Sequence, residues 1–418
     1  MRKRMQTFIC VLLSAALAFS SFPAAAGETA QEQSVSLVMP VGDMAPRRPS
    51  RPLELLSSDQ AADLNEKMQQ YAGTEESLLI NKAASYYYYD RIPPTAKQIY
   101  DIFLQVAQDP VSEGNIGLLM TDIDPQSDEF YDLFNLAYRA ICFDHPELFW
   151  LYSGEEAELT FLSEALQQNG FYYVYIKMYE PFTGFTQQMN AFNSAAQAFL
   201  AGIDTSISEY ETVRQIHDNL VDLVTYDDAT ASAISFGWGQ DLAHTAYGAL
   251  VANSDGTANY AVCDGYTLAF EYMCQQCGID ATFVGGMAGP DEASAGGHAW
   301  NVVEVDGDWY ELDSTWDDLG NLADDEVPGS TMYNYIQEMI ADTAFYNLFL
   351  RRLFLVSTDR ISHFIPGDDL TYVTNDGMYS FFPAGESIHV RIPNDGTDQN
   401  FDGRLFQFTP VAEHGYQA

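Results

Sequence analysis

Cysteine is scarce in this chain, and basic residues are scarcer than acidic ones. There are five cysteines in 418 residues, too few for a disulfide scaffold of this length, so stability must rest on a hydrophobic core. Eighteen Lys and Arg face 60 Asp and Glu, a formal charge of −42. A surface with that balance repels phosphates and anionic lipid, which excludes nucleic acid as a partner and favours a solvated, soluble exterior. Long apolar runs are missing beyond the first 26 residues, and a bilayer span needs about 20. Those first 26 residues have the pattern of a cleaved secretory leader. Arg2, Lys3 and Arg4 give a positive start, Thr7 to Phe22 is apolar, and Ala24, Ala25 and Ala26 precede Gly27. The mature protein is therefore expected outside the cytoplasm, secreted or in the cell envelope, with no membrane span after cleavage. No cysteine follows the cleavage point to carry a lipid.

Hydrophobic residues make up 47% of the chain and aromatics 14%, enough to bury a core in more than one folded unit. The order reads as a signal peptide (1–26), a flexible linker (27–57) rich in Pro, Ser and Ala, a mainly helical region (58–165), a core (166–360) and a short β-rich extension (361–418). Helices are expected near 96–107, where Ile99, Ile102, Phe103 and Val106 share a face, and near 128–142, where Phe130, Leu133, Phe134, Ala137 and Ile141 do so. Phe171 to Met178 reads as a strand. Helices follow near 185–201 and 209–224, then a loop at 229–245. The aromatic run Tyr86–Tyr89 fits core packing or an edge strand better than a carbohydrate-binding face.

The chemistry concentrates between residues 246 and 318. Cys263 precedes the apolar-periodic Leu268, Ala269, Tyr272 and Met273, so it should open a helix. There the free N–H groups and helix dipole favour a thiolate and offer an oxyanion donor. Further on, Asp306-Gly307 marks a two-residue hairpin turn. With that turn as the tip, Val305 faces Asp308, Val302 faces Glu311 and Trp300 faces Asp313. His298 and Asp313 then share one face as diagonal neighbours, roughly 7–8 Å apart at Cα. Alone, Cys263 reads as a buried structural cysteine, His298 as a satisfied histidine and Asp313 as a strand-end cap. Together they supply a nucleophile, a general base and an orienting carboxylate.

Tyr247-Gly248-Ala249-Leu250, Val262-Cys263-Asp264-Gly265-Tyr266, Gly297-His298-Ala299-Trp300-Asn301 and Trp309-Tyr310-Glu311-Leu312-Asp313-Ser314-Thr315-Trp316-Asp317 resemble the bacterial transglutaminase-like superfamily. The resemblance implies an α+β fold of papain-like type, with a nucleophile helix packed on an antiparallel sheet. It also implies a Cys263-His298-Asp313 triad working without a cofactor or metal. The expected activity is attack on peptide or protein amide bonds through an acyl-thioester, ending in transglutaminase-type transfer or in peptidase or amidase hydrolysis. A substrate associated with the cell envelope fits the leader. The rival class is a non-catalytic surface binding or adhesion module on the same fold.

Cys263 N–H is the first candidate oxyanion donor, with Tyr247, Gln240 or Trp238 as side-chain alternatives. Trp300 and Trp316 read as packing residues beside the site. Cys274 and Cys277 form a C-x-x-C late in a helix without further zinc ligands nearby, and read as buried side chains or a local disulfide. Cys142 reads as core. Asp398–Gly403 has half the pattern of a calcium loop, but Thr409 stands where a bidentate Glu is required, so a turn is expected. His217, His244 and His363 lack an evident partner set and read as structural.

Overall fold

The computed structural model describes residues 57–71, 86–112, 114–152, 162–168, 170–177, 184–231, 242–252, 259–320, 326–365, 387–391, 405–406 and 408–417. The leader, the linker up to 56, Trp238, Gln240 and the Asp398–Gly403 turn lie outside these. Among the described residues no helix is long and apolar enough to cross a membrane.

The fold is α+β. Its centre is a five-stranded antiparallel sheet of order β10-β6-β7-β8-β9. The strands are β6 (Ala281–Gly289), β7 (Gly296–Val305), β8 (Asp308–Leu312), β9 (Phe354–Val356) and β10 (Ile388–Arg391). The helix Cys263–Gln276, αN below, packs on β6 and β7. Its residues Cys263 to Glu271 are all buried, as befits a helix covered on every side.

The hairpin follows the register read from its turn. Val305 pairs with Asp308, Val302 with Glu311, and Asn301 with Leu312, where the strand pairing ends. Asp306 and Gly307 both have positive φ, 56° and 89°, as a type I′ turn demands.

The region before the core contains the expected helices, over Pro94–Gln108 and Asp128–Asp144. Ser127 caps the second by accepting from Phe130 N–H, and Asp128 and Glu129 sit in its first turn, where carboxylates favour the helix dipole. The region also contributes sheet. Strand β1 (Ile116–Thr121) and strand β2 (Leu162–Gln168) flank β3 (Phe171–Lys177) in an antiparallel sheet. That sheet straddles the expected boundary at 165, and one hydrophobic cluster joins these helices to αN and the central sheet.

Tyr86–Tyr89 forms a turn with Tyr87 and Tyr88 buried. Tyr88 donates its hydroxyl to Phe283 C=O in β6 (2.9 Å). The buried Asp144 accepts from Tyr88 N–H and Tyr89 N–H, both at 2.8 Å, and from Tyr100 hydroxyl at 3.1 Å. This run is a packing element between the helical region and the core.

Candidate active site

Cys263 is the first residue of αN, following Val262 at the N-cap. Its N–H therefore has no acceptor within the helix. Thr267 donates its hydroxyl to Cys263 C=O (2.7 Å), tightening the first turn. The thiol is buried, with 5% exposure.

His298 comes from β7 and Asp313 from the residue just past β8. Imidazole Nε2 meets Asp313 Oδ2 at 2.7 Å. The imidazole also interacts with Cys263, which favours its charged form. With Nε2 committed to the carboxylate, Nδ1 is the nitrogen left for the thiol. The structure thus brings Cys263, His298 and Asp313 together.

The electrostatics follow from burial and partners. Burial opposes charge on His298, but Asp313 and then Cys263 overcome it and raise the imidazole pKa. Burial likewise opposes charge on Asp313, and His298 and then His389 reverse it, holding the carboxyl below its ordinary range. Asp313 Oδ1 also accepts from Thr315 N–H (3.0 Å) and Trp316 N–H (3.1 Å). Four donors therefore surround this carboxylate.

His389 was not legible as a site residue from sequence. It lies on β10, in the segment expected to be a separate β-rich extension, and its Nε2 reaches the same Asp313 Oδ2 at 2.8 Å. Nothing in the local sequence marks it; the pairing of β10 with β6 delivers it.

Trp300 and Trp316 flank both imidazoles, with ring centroids 5.0–5.9 Å away. Trp300 also donates Nε1–H to Glu311 Oε2 (2.7 Å). The buried Glu311 takes Thr358 hydroxyl on its other oxygen (2.7 Å) and pairs with Arg391 of β10. Trp300 is therefore a packing residue with a polar anchor.

His298, Asp313 and His389 have donor types that suit a divalent cation. Both imidazole Nε2 atoms, however, already meet one carboxylate oxygen at hydrogen-bond length.

The Tyr247 ring packs with Phe149 and Phe192 at 4.7 and 6.5 Å. Cys142, Cys274 and Cys277 are free thiols, so the C-x-x-C holds no disulfide, and burial raises the Cys274 thiol. Two of the histidines read as lacking partners do have them. His244 Nδ1 meets the buried Asp264 at 2.8 Å. His217 Nδ1 meets Asp218 at 3.2 Å, and its Nε2 lies 3.4 Å from Asp317. The contacts with Asp264 and Asp317 are tertiary, which spacing alone did not reveal. His363 is exposed.

A model of the transglutaminase-like superfamily matches residues 195–314. The kyphoscoliosis peptidases of Mus musculus and Homo sapiens are each 38% identical to this chain over 61 residues, which is 13% of this chain and 9% of theirs. The chain thus spans about a tenth of the length of these curated relatives. A crystal structure of a TGase aligns at 17% identity with a TM-score of 0.23, covering 37% of this chain and 43% of that one. The family match begins within the helix Phe185–Leu200, contains Cys263, His298 and Asp313, and ends well before His389. Residues 195–314 of this chain are thus similar to the transglutaminase-like superfamily.

Proposed function

We propose that the protein is an exported cysteine enzyme that cleaves peptide or protein amide bonds through an acyl-thioester. The observation that carries the reading is the buried imidazole of His298, which meets Asp313 at 2.7 Å through Nε2 and interacts with Cys263. In this mechanism the Cys263 sulfur, its proton held by His298, attacks the amide carbonyl carbon. The Cys263 N–H, free at the helix start, donates to the oxygen as negative charge builds on it. The C–N bond then breaks, and His298 returns the proton to the departing amine. A second nucleophile, water or a primary amine, attacks the thioester while His298 takes its proton, and Cys263 leaves. Water gives hydrolysis; an amine gives transfer. Asp313 stabilises the imidazolium and fixes its orientation.

Export rests on the leader pattern in residues 1–26, and an envelope-associated protein substrate is consistent with it. Iodoacetamide labelling of the mature protein, mapped by mass spectrometry across pH 4 to 9, tests the thiol–imidazole pair. Selective labelling of Cys263 that His298→Ala slows supports the enzyme. Labelling of Cys263 no faster than of Cys142, Cys274 or Cys277 sinks it and favours a binding module. Casein incubated with a fluorescent primary amine then separates the reactions: amine incorporation means transfer, and release of new termini means hydrolysis.

A further inference from the structure

We propose that His389 is a positioning residue of this site, a fixed hydrogen-bond donor that orients the Asp313 carboxylate toward His298. The inference rests on the reading of Cys263 and His298 as a reactive pair, and it extends the working site beyond the matched domain into the C-terminal strand.

The geometry defines the donor. Asp313 Oδ2 lies 2.7 Å from His298 Nε2 and 2.8 Å from His389 Nε2. An ionised carboxylate only accepts, so each imidazole presents Nε2–H. For His389 this leaves Nδ1, which is buried and has no hydrogen-bond partner. A second imidazolium there would carry an unpartnered N–H in a buried, crowded place. The charged groups that reach His389 are Asp313, His298 and Arg352, and two of these three are cations or become so. Burial, then the charges of His298 and Arg352, work against protonation, although Asp313 favours it, and the net shift is downward. His389 thus stays neutral and keeps its Nε2–H, while His298 is the ring that gains and loses a proton.

Several features hold His389 in place. Trp316 and Trp300 meet its ring edge-on at 5.0 and 5.2 Å. β10 pairs with β6 over four residues, and the bridge between Phe364 and Ser387 secures its start. Arg391, on the same side of the strand, pairs with Glu311, which also holds Trp300. Gly286 of β6, opposite Arg391, lets the strand approach: a Cβ there would lie 2.3 Å from Val390 C=O and 2.6 Å from the Trp300 ring. The sheet is built to bring β10 close.

The test measures Cys263 alkylation by iodoacetamide across pH 4 to 9 in the mature protein and in His389→Phe, His389→Asn and His389→Gln, with near-UV circular dichroism as the check on folding. Phe keeps a ring without the N–H. Asn is polar but too short to reach Asp313. Gln can return an N–H near the position of Nε2. The proposal expects alkylation about ten-fold slower in the Phe and Asn variants, the size of one lost charge-assisted hydrogen bond. Their acid limb moves to higher pH, because Asp313 has lost a donor that favours its ionised form. Gln restores most of the rate and returns the limb toward its original position. An unchanged rate and acid limb in the Phe or Asn variant overturns the proposal. So does a Gln variant as slow as Asn, which would mean that ring shape, not the N–H, matters. The His298→Ala control separates the two readings: if it leaves Cys263 alkylation unchanged, the reactive pair itself fails, whatever His389 does.

Discussion

Asp313 and Asp317 are two buried carboxylates on one loop, joined by a hydrogen bond from Asp317 N–H to Asp313 C=O (3.1 Å). Each faces histidine and has Arg352 nearby. Burial pushes both pKa values up, yet they end on opposite sides of the ordinary value. Asp313 is lowered, whereas Asp317 is raised to about 6. The difference lies in the donors. Asp313 has two imidazole nitrogens at 2.7 and 2.8 Å and two backbone N–H groups at 3.0 and 3.1 Å. Asp317 has one backbone N–H, from Leu353 at 3.0 Å, while His217 and Arg352 stand off at 3.4 and 3.7 Å. At those longer distances a charged partner no longer makes a full hydrogen bond, and desolvation wins. Burial on its own does not set a carboxylate's ionisation; close donors on both oxygens keep Asp313 charged where Asp317 is not.

The largest expected effect breaks the comparison at Asp313. Asp313→Asn should slow turnover by about four orders of magnitude, the scale of losing the carboxylate of such a triad. Asp317→Asn should cost less than about ten-fold, since it touches no reacting group. Steady-state assays on whichever amide substrate the casein screen identifies would measure both; comparable losses would mean that the two carboxylates share one role.

Gly286→Ala removes Asp313's advantage indirectly. The added methyl group collides with Val390 C=O and the Trp300 ring, at a cost of about 1–3 kcal/mol in urea unfolding, and displaces β10 with His389. Asp313 then has fewer donors and moves toward the state of Asp317. Cys263 alkylation in this variant should lose its acid side first. A variant with normal stability and an unaltered acid limb would show that β10 docks independently of this approach.

Thermal melts from pH 2 to 7 sharpen the contrast in sign. Asp313 is depressed in the fold, so its stabilisation is present above the ordinary carboxylate value near pH 4 and lost on acidification. Asp313→Asn should therefore fall furthest below the parent at neutral pH and approach it in acid. Asp317 is raised, so its contribution is full below about pH 4 and is lost as pH rises through about 6. Asp317→Asn should gain on the parent over that same rise. Parallel curves for the two variants would refute the assignment of opposite shifts.

The smallest effect concerns the turn that carries Asp313. Gly307→Ala, at φ 89°, should destabilise by about 1 kcal/mol and leave alkylation of Cys263 nearly intact. A large loss of reactivity would show that the turn does more than set the register.

Local grammar made part of this structure readable in advance. Asp-Gly between two apolar runs has few backbone solutions, and the positive φ values at Asp306 and Gly307 with Val305 opposite Asp308 are the one expected. The helical periodicity after Cys263 marked where αN begins. Other features had no local signal. The sheet β1-β3-β2 joins segments on both sides of the expected boundary, and strand pairing over such distances is decided by which edges meet. Tyr86–Tyr89 was readable as packing, but its bonds to Asp144 and Phe283 were not.

By itself, the sequence determined the order of the chemistry: a thiol at a helix start, then a histidine and an aspartate brought to one face by a two-residue turn. These relations are short in sequence, and backbone geometry alone enforces them. Only the tertiary structure decided how strongly Asp313 is held, that His389 joins it from another strand, and that Asp317 nearby is left underpartnered. Those outcomes depend on distances of a few tenths of an ångström between segments far apart in the chain, where hydrogen-bond strength changes steeply and no spacing rule reaches.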